Sequence, residues 1–188
     1  MDIFSGFIHR VVRKADLEEF FVHLRSRVNF LRRFVPVGMR HRFASIGKFI
    51  PPSSSYPQDD NYFLTRDDTH YKINRSDYVQ WRIFYGIRDN ALRMAKQHLV
   101  NDSIVLDIGA NFGGFSLRLA THTAKCNFQN VQVHAFEPNP AVFKRYRNNL
   151  ALNPSLANLV CTHPIGLGSM AGKQSFKVEM VNTGAGRA

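Results

Sequence analysis

Residues 103 to 116 read SIVLDIGANFGGFS, and no other stretch of the chain narrows its fold as far. SIVLDI is an apolar run with β-branched members and no polar alternation before Asp107, the pattern of a strand buried on both faces, as in a parallel sheet. After the glycines comes the helical run GFSLRLATHTAK, then the polar break CNFQN, then a second apolar run, VQVHAFEP. The order is strand, turn, helix, strand, so an α/β fold is expected, with its ligand at the carboxyl edge of the strands. In such a fold the first turn lets backbone come close to the ligand, and a side chain at Gly109 or Gly113 would obstruct that approach.

Two acids bracket the crevice. Asp107 ends the first strand, where it accepts hydrogen bonds from the loop or from a cationic ligand group. Glu137 ends the second, where an acid commonly holds ribose hydroxyls. Spacing then separates the nucleotide cofactors. A dinucleotide site calls for G-x-G-x-x-G, whereas Gly109-Ala110-Asn111-Phe112-Gly113-Gly114 lacks the second glycine, over which a pyrophosphate settles on the helix N-terminus. No P-loop sequence occurs either. A cofactor with a ribose, a cationic centre and an amino-acid tail but no phosphate suits an acid-rich pocket better, and S-adenosylmethionine is the candidate.

Three blocks, DIGANFGGFS (107–116), HAFEPNPAVFKRYRNNLALN (134–153) and PIGLGSMAGKQSFKV (164–178), resemble in order the core motifs of the FkbM family of S-adenosylmethionine-dependent methyltransferases. The DxGANxG block followed by FEPxP and a helix ending in Asn-rich sequence is far more specific than a lone glycine turn. The resemblance runs from about residue 100 to the C-terminus, and more weakly over RSDYVQWRIFYG. It implies a Rossmann-like class I methyltransferase three-layer sandwich, with only the first half of the sheet present and an N-terminal helical extension. It also implies that Asp107, Gly109, Asn111 and Gly113 form the methionine-side loop and that Glu137 binds the ribose. Ile165 and Gly166, after a third strand, would lie beside the adenine. Family members methylate oxygen on small molecules or sugars, so the implied acceptor is a small-molecule or glycan hydroxyl.

Core strands are expected at about 103–108, 131–136 and 159–164, with an extra one at 175–181. That is short of the family's sheet, so a truncated methyltransferase with an exposed hydrophobic strand edge is expected. A non-catalytic fragment or binding module is therefore the second functional reading. No residue stands out as the base that a hydroxyl acceptor needs, and the catalytic residues stay unassigned. Core roles are expected for His134, Trp81, Phe84 and Tyr85, while His163 falls near the cofactor rim.

Charge divides the chain. Ten Lys/Arg against four acids before residue 49 place +6 of the formal +11 in the first quarter. From 14 to 34, Leu17, Phe20, Phe21, Leu24, Val28 and Leu31 recur at helical spacing with arginines on the other face, which predicts a basic amphipathic helix within a 1–50 extension. Such a helix packs on the main domain or docks weakly on a membrane surface or partner; its charge attracts polyanions without implying specific nucleic-acid recognition. FIPPSSSYPQDDN (49–61) marks a linker over 51–61, leaving a partial methyltransferase domain over 62–188. NYFLTRDDTHYKIN predicts a hairpin turning at Asp67-Asp68. Two helices should follow, the first capped by Ser76, with a break near Gly86 and the second running from Asp89 to about Leu99. Cys126 and Cys161 show neither a disulfide framework nor metal-ligand spacing, which fits a reducing compartment, the cytoplasm. No apolar stretch approaches the roughly 18 to 20 residues of a membrane span, and the N-terminus lacks a signal-peptide pattern.

Overall fold

The computed structural model describes residues 51–173, 175, 177–178 and 186–187. The basic helix expected within 1–50 lies outside these residues. From Ser53 onward the described residues belong to one compact unit.

Strands β1 (Asn61–Arg66) and β2 (Thr69–Asn74) form the expected antiparallel hairpin. Asp67 and Asp68 take φ of 53° and 60°. A two-residue turn needs this left-handed pair to match strand twist, and Asp tolerates it. Thr69, Tyr71 and Ile73, alternating along β2, are buried. Helix α1 (Tyr78–Phe84) follows, capped by Asp77 rather than by Ser76: the Asp77 carboxylate accepts from the Val79 and Gln80 amides at 2.9 and 3.2 Å. The Ser76 hydroxyl donates instead to Asn74 Oδ1 at 2.8 Å, which holds it against the end of the hairpin. After the break at Gly86 (φ 61°), α2 (Asn90–His98) starts from Asp89, as its sequence suggested.

The segment expected as a linker is docked in part. Tyr56 is buried with its hydroxyl 2.5 Å from that of Tyr85, and the Arg75 guanidinium lies 4.6 Å from the Tyr56 ring while it holds the Asp60 carboxylate at 2.6 and 3.0 Å.

The central sheet is parallel, in the order β3 (Ile104–Ile108), β4 (Gln132–Phe136), β5 (Val160–His163). Helix α3 (Ser116–Lys125) links β3 to β4, and α4 (Pro140–Ala151) precedes β5. The fold is α/β and Rossmann-like in this half. Asn139 caps α4 by accepting from the Ala141 and Val142 amides, and Pro140 occupies the first turn, where no amide partner is needed. With Leu117, Leu119 and Ala120 fully buried, α3 packs on β4 and β5 over Val133, Ala135 and Val160. β6 (Lys177–Val178) and β7 (Gly186–Arg187) pair with each other and, among the described residues, not with the central sheet; the rest of the strand expected at 175–181 lies largely outside the described residues.

One expectation about β3 fails. Its apolar run predicted burial on both faces, yet Ile104, Leu106 and Ile108 are 69%, 56% and 64% exposed. Among the described residues β3 has a single strand neighbour, and the helices cover only the face that carries Val133 and Ala135. His134 stands on the exposed side too. It is half-buried rather than in the core, its Nδ1 3.0 Å from Nε2 of His163, with the His163 ring stacked 4.5 Å from Phe136.

Two asparagines clamp the hairpin to this core. Asn149 Oδ1 accepts from the Lys72 amide at 2.8 Å while its Nδ2 donates to the Phe112 carbonyl at 3.0 Å. Asn153 spans both backbone groups of His70, at 2.9 and 2.8 Å. Asn149 is fully buried, so Asn149→Ala strands an amide and a carbonyl away from water and should cost about 2–4 kcal/mol. Denaturant unfolding measures this, and an unchanged midpoint would refute the clamp.

Candidate functional site

The carboxyl ends of β3 and β4 meet through the glycine turn. The amides of Gly109 and Ala110 both donate to the Phe136 carbonyl at 2.9 Å, which pins the start of the turn to the neighbouring strand. Asn111 turns the chain with φ of 52° and folds its Oδ1 back onto the Phe112 amide at 2.8 Å. Glu137, 7% exposed, spans both loops: Oε2 accepts from the Asn111 amide at 3.0 Å and Oε1 from the Asn139 amide at 2.9 Å.

Gly109 and Gly113 both have positive φ, 81° and 91°, but serve different ends. A Cβ at Gly109 would meet nothing within 4 Å, so the space beside it is open to a ligand. A Cβ at Gly113 would come within 2.9 Å of both Leu117 Cδ1 and Tyr146 Cε2, so the absent side chain there makes room for α4 against α3. Gly113 belongs to the packing behind the turn.

A cavity of about 200 Å³ opens beside the turn, lined by Asp107, Gly109 and Asn111 among the residues singled out in the sequence. Arg82, Asp89 and Arg118, none of which the sequence pointed to as a site residue, line it as well. Gly113, Glu137, Ile165 and Gly166 do not. Ile165 and Gly166 are exposed after β5, Ile165 at 53%, and a Cβ at Gly166 would lie 3.5 Å from Pro138. The candidate residues thus fall into two neighbouring regions, the cavity around Asp107 and a surface running from Glu137 past Pro138 to Ile165, joined by the Glu137–Asn111 hydrogen bond.

Charge around the cavity is uneven. Arg118 is buried and fully engaged: Nε donates to the Gly114 carbonyl at 2.7 Å and Nη2 to Asp89 at 2.8 Å, with Asp67 3.6 Å from Nη1. Asp89 is engaged in turn, since its other oxygen caps α2 through the Leu92 amide at 3.1 Å. Asp107 is compensated only in part. Its Oδ2 is shut off from solvent without a hydrogen-bond partner among the described residues. Burial pushes its carboxyl up to about 6, hydrogen bonds from Ser116 only partly oppose this, and Asp89 and Glu137 add to the rise. A carboxyl raised by burial in the wall of a cleft favours contact with a cationic ligand group, which would restore its charged form. The cavity-lining residues missed in the sequence come from three elements. Their one local signal is the Val79, Arg82, Ile83 spacing, which puts an arginine on the buried side of α1.

No family model matches the chain, and no curated protein does. Among solved structures it is similar to Trm5b of Pyrococcus abyssi, at 20% identity over 55% of this chain and 27% of that one, with a TM-score of 0.40. It is also similar to TYW2 of Pyrococcus horikoshii in complex with MeSAdo, at 17% identity over 59% of this chain and 38% of that one, with a TM-score of 0.38. A transferase structure from the same organism matches at 13% identity over 79% of this chain and 63% of that one, with a TM-score of 0.40. The chain thus spans from about a quarter to just under two thirds of the length of these structures. Likenesses this distant carry no argument, and both the fold and the chemistry of the site stand on the chain's own residues.

Proposed function

We propose that this chain binds S-adenosylmethionine and serves a methyltransferase reaction, with a hydroxyl oxygen of a small molecule or sugar as acceptor, as in the FkbM family its motifs resemble. The observation that carries the proposal is Asp107 in the cavity wall at the carboxyl end of β3, its buried Oδ2 without a hydrogen-bond partner among the described residues. A buried carboxylate in that position favours a ligand with a cationic group and disfavours the pyrophosphate of a dinucleotide.

The cofactor, once bound, supplies a methyl group on an electrophilic sulfonium. The chain's own residues supply the fit. Asp107 accepts from the ammonium of the tail, and the open space beside Gly109 admits the tail to backbone contact. Glu137 has already bonded two amides, yet each of its oxygens keeps a lone pair for a ribose hydroxyl. Ile165 and Leu167, both exposed, offer apolar surface to a base. What the chain contributes to transfer is alignment, which alone lowers barriers substantially in displacements of this kind.

Isothermal titration of the full chain with S-adenosylmethionine and, separately, with NAD tests the proposal. Saturable binding of the first and none of the second is the expected outcome. A folded chain that binds NAD, or binds neither, would overturn it.

A further inference from the structure

We infer that α1 carries the binding site for the methyl acceptor, with the Tyr78 ring as a platform for an aromatic ring and Arg82 as the partner of an acidic group on it. The ligand class is an aromatic acid that bears a hydroxyl. This rests on the cofactor reading above, in which every contact comes from the strand ends and the glycine turn and none from α1.

The platform is made of rings in series. Tyr56 and Tyr85 are buried, their hydroxyls 2.5 Å apart. The Tyr85 ring lies 5.4 Å from that of Trp81, and Trp81 stacks on Tyr78 with 5.7 Å between ring centres and 18° between planes. The series thus runs from the core to a ring that is 50% exposed. A half-exposed ring backed in this way is already fixed, so a flat ligand stacks on it with little further ordering. Arg82 belongs both to this platform and to the cavity. It lines the cavity beside Asp107, and its guanidinium carbon lies 5.9 Å from the centre of the Tyr78 ring. Whereas Arg118 is held by Gly114 and Asp89, Arg82 forms no ion pair among the described residues. The platform therefore stands at the cavity, where an acceptor has to lie to meet the cofactor's methyl group.

Charge and shape together select the ligand. A cationic acceptor would be drawn to the ring face but repelled by Arg82, and a neutral one would leave Arg82 unpaired. An acidic group answers it, since a planar guanidinium matches a carboxylate with two parallel hydrogen bonds. Phenolic acids and sugar phosphates both combine a negative charge with a hydroxyl, and the platform separates them. An aromatic ring stacks in offset fashion on Tyr78, which adds about 2- to 10-fold in affinity beyond the area it buries. A sugar lays polar hydroxyls against the same ring face, which offers them no strong partner.

Trp81 is the only tryptophan in the sequence, so its fluorescence reports on the ring stacked against it. Fluorescence and calorimetric titrations of the full chain use three probes, each with and without S-adenosylmethionine. They are 4-hydroxybenzoate, 4-hydroxybenzyl alcohol, which keeps the ring and hydroxyl but not the charge, and glucose 6-phosphate, which keeps the charge but not the aromatic ring. 4-Hydroxybenzoate should bind saturably and change the Trp81 signal, the alcohol should bind about 10-fold more weakly, and the sugar phosphate should bind more weakly than the acid. Tyr78→Ala should weaken 4-hydroxybenzoate about 2- to 10-fold, Tyr78→Phe should leave it unchanged, and Arg82→Gln should bring the acid down to the level of the alcohol. Because Tyr78 is half-exposed, its replacement should leave the fold intact, which unfolding curves check. Equal binding of acid and alcohol, preference for the sugar phosphate, or a Tyr78→Ala variant that binds like the wild type would overturn the inference. S-adenosylmethionine titrated alone tests the cofactor reading separately. A chain that binds it but not 4-hydroxybenzoate loses the acceptor site alone, and one that binds 4-hydroxybenzoate but not the cofactor refutes the acceptor role.

Discussion

Asp107→Asn is expected to lose S-adenosylmethionine binding by about 100-fold or more, while the ligand-free protein becomes more stable at pH 8. The two effects have one cause. In the ligand-free chain the carboxyl is pushed up to about 6, chiefly by burial, against about 3.9 when unfolded. Between those values the folded state keeps a proton that the unfolded chain has released. The associated stability is therefore fully present below about pH 4 and is lost as pH rises through 6, a decline of about 2–3 kcal/mol. Asparagine never ionises, so the variant should lack this decline. A bound ammonium reverses the balance by favouring the ionised carboxylate, so wild-type affinity should fall as pH drops below about 6. Thermal unfolding and titration calorimetry at pH 5 and pH 8 read both effects. If the variant binds normally, or is destabilised at pH 8, Asp107 does not have the role assigned to it.

The second large effect concerns Gly113. Gly113→Ala meets Leu117 Cδ1 and Tyr146 Cε2 at 2.9 Å and must hold a φ of 91° that side-chain-bearing residues rarely adopt. Backbone strain of about 1–3 kcal/mol and overpacking of a similar size add to a loss of roughly 3–5 kcal/mol, a large part of the stability of any domain. At this chain length such a loss lowers the melting temperature on the order of 10 °C. Gly109→Ala is the contrasting case. It bears the strain of a φ of 81° but no clash, so its stability loss should be about 1–3 kcal/mol while its Cβ stands where the ligand approaches. Melting curves should rank Gly113→Ala as the less stable variant, and titration with S-adenosylmethionine should show Gly109→Ala with the larger loss of affinity relative to its stability. A reversed order would mean that the two glycines have been assigned the wrong way round.

Much of this architecture was legible because its signals are local. The hairpin at Asp67-Asp68, the break at Gly86, the helix starting from Asp89 and the β3–turn–α3 unit each follow from periodicity or from the φ their turn residues tolerate. The failures concern partners distant in sequence. Hydropathy along Ile104–Ile108 records that the strand suits a buried setting, not how many neighbours surround it. The close approach of Tyr146 to Gly113, which α4 brings over it, has no signal in the residues around the glycine. Arg82 and Arg118 reach the cavity wall from separate helices, and neither sits in a motif. Ser76 lost the cap to Asp77 by one residue, which propensity alone does not resolve, since both types cap well.

The asparagine clamps also set an order of events during folding. A hairpin standing alone is only marginally stable in water. β2 gains its fixed place by pairing with side chains 77 and 83 residues further along, on and just after α4. Those loops must close before the contacts repay them. The hairpin is thus the earliest strand pair along the described chain and among the last to become permanent. Substitutions at Asn149 should accelerate unfolding far more than they slow folding.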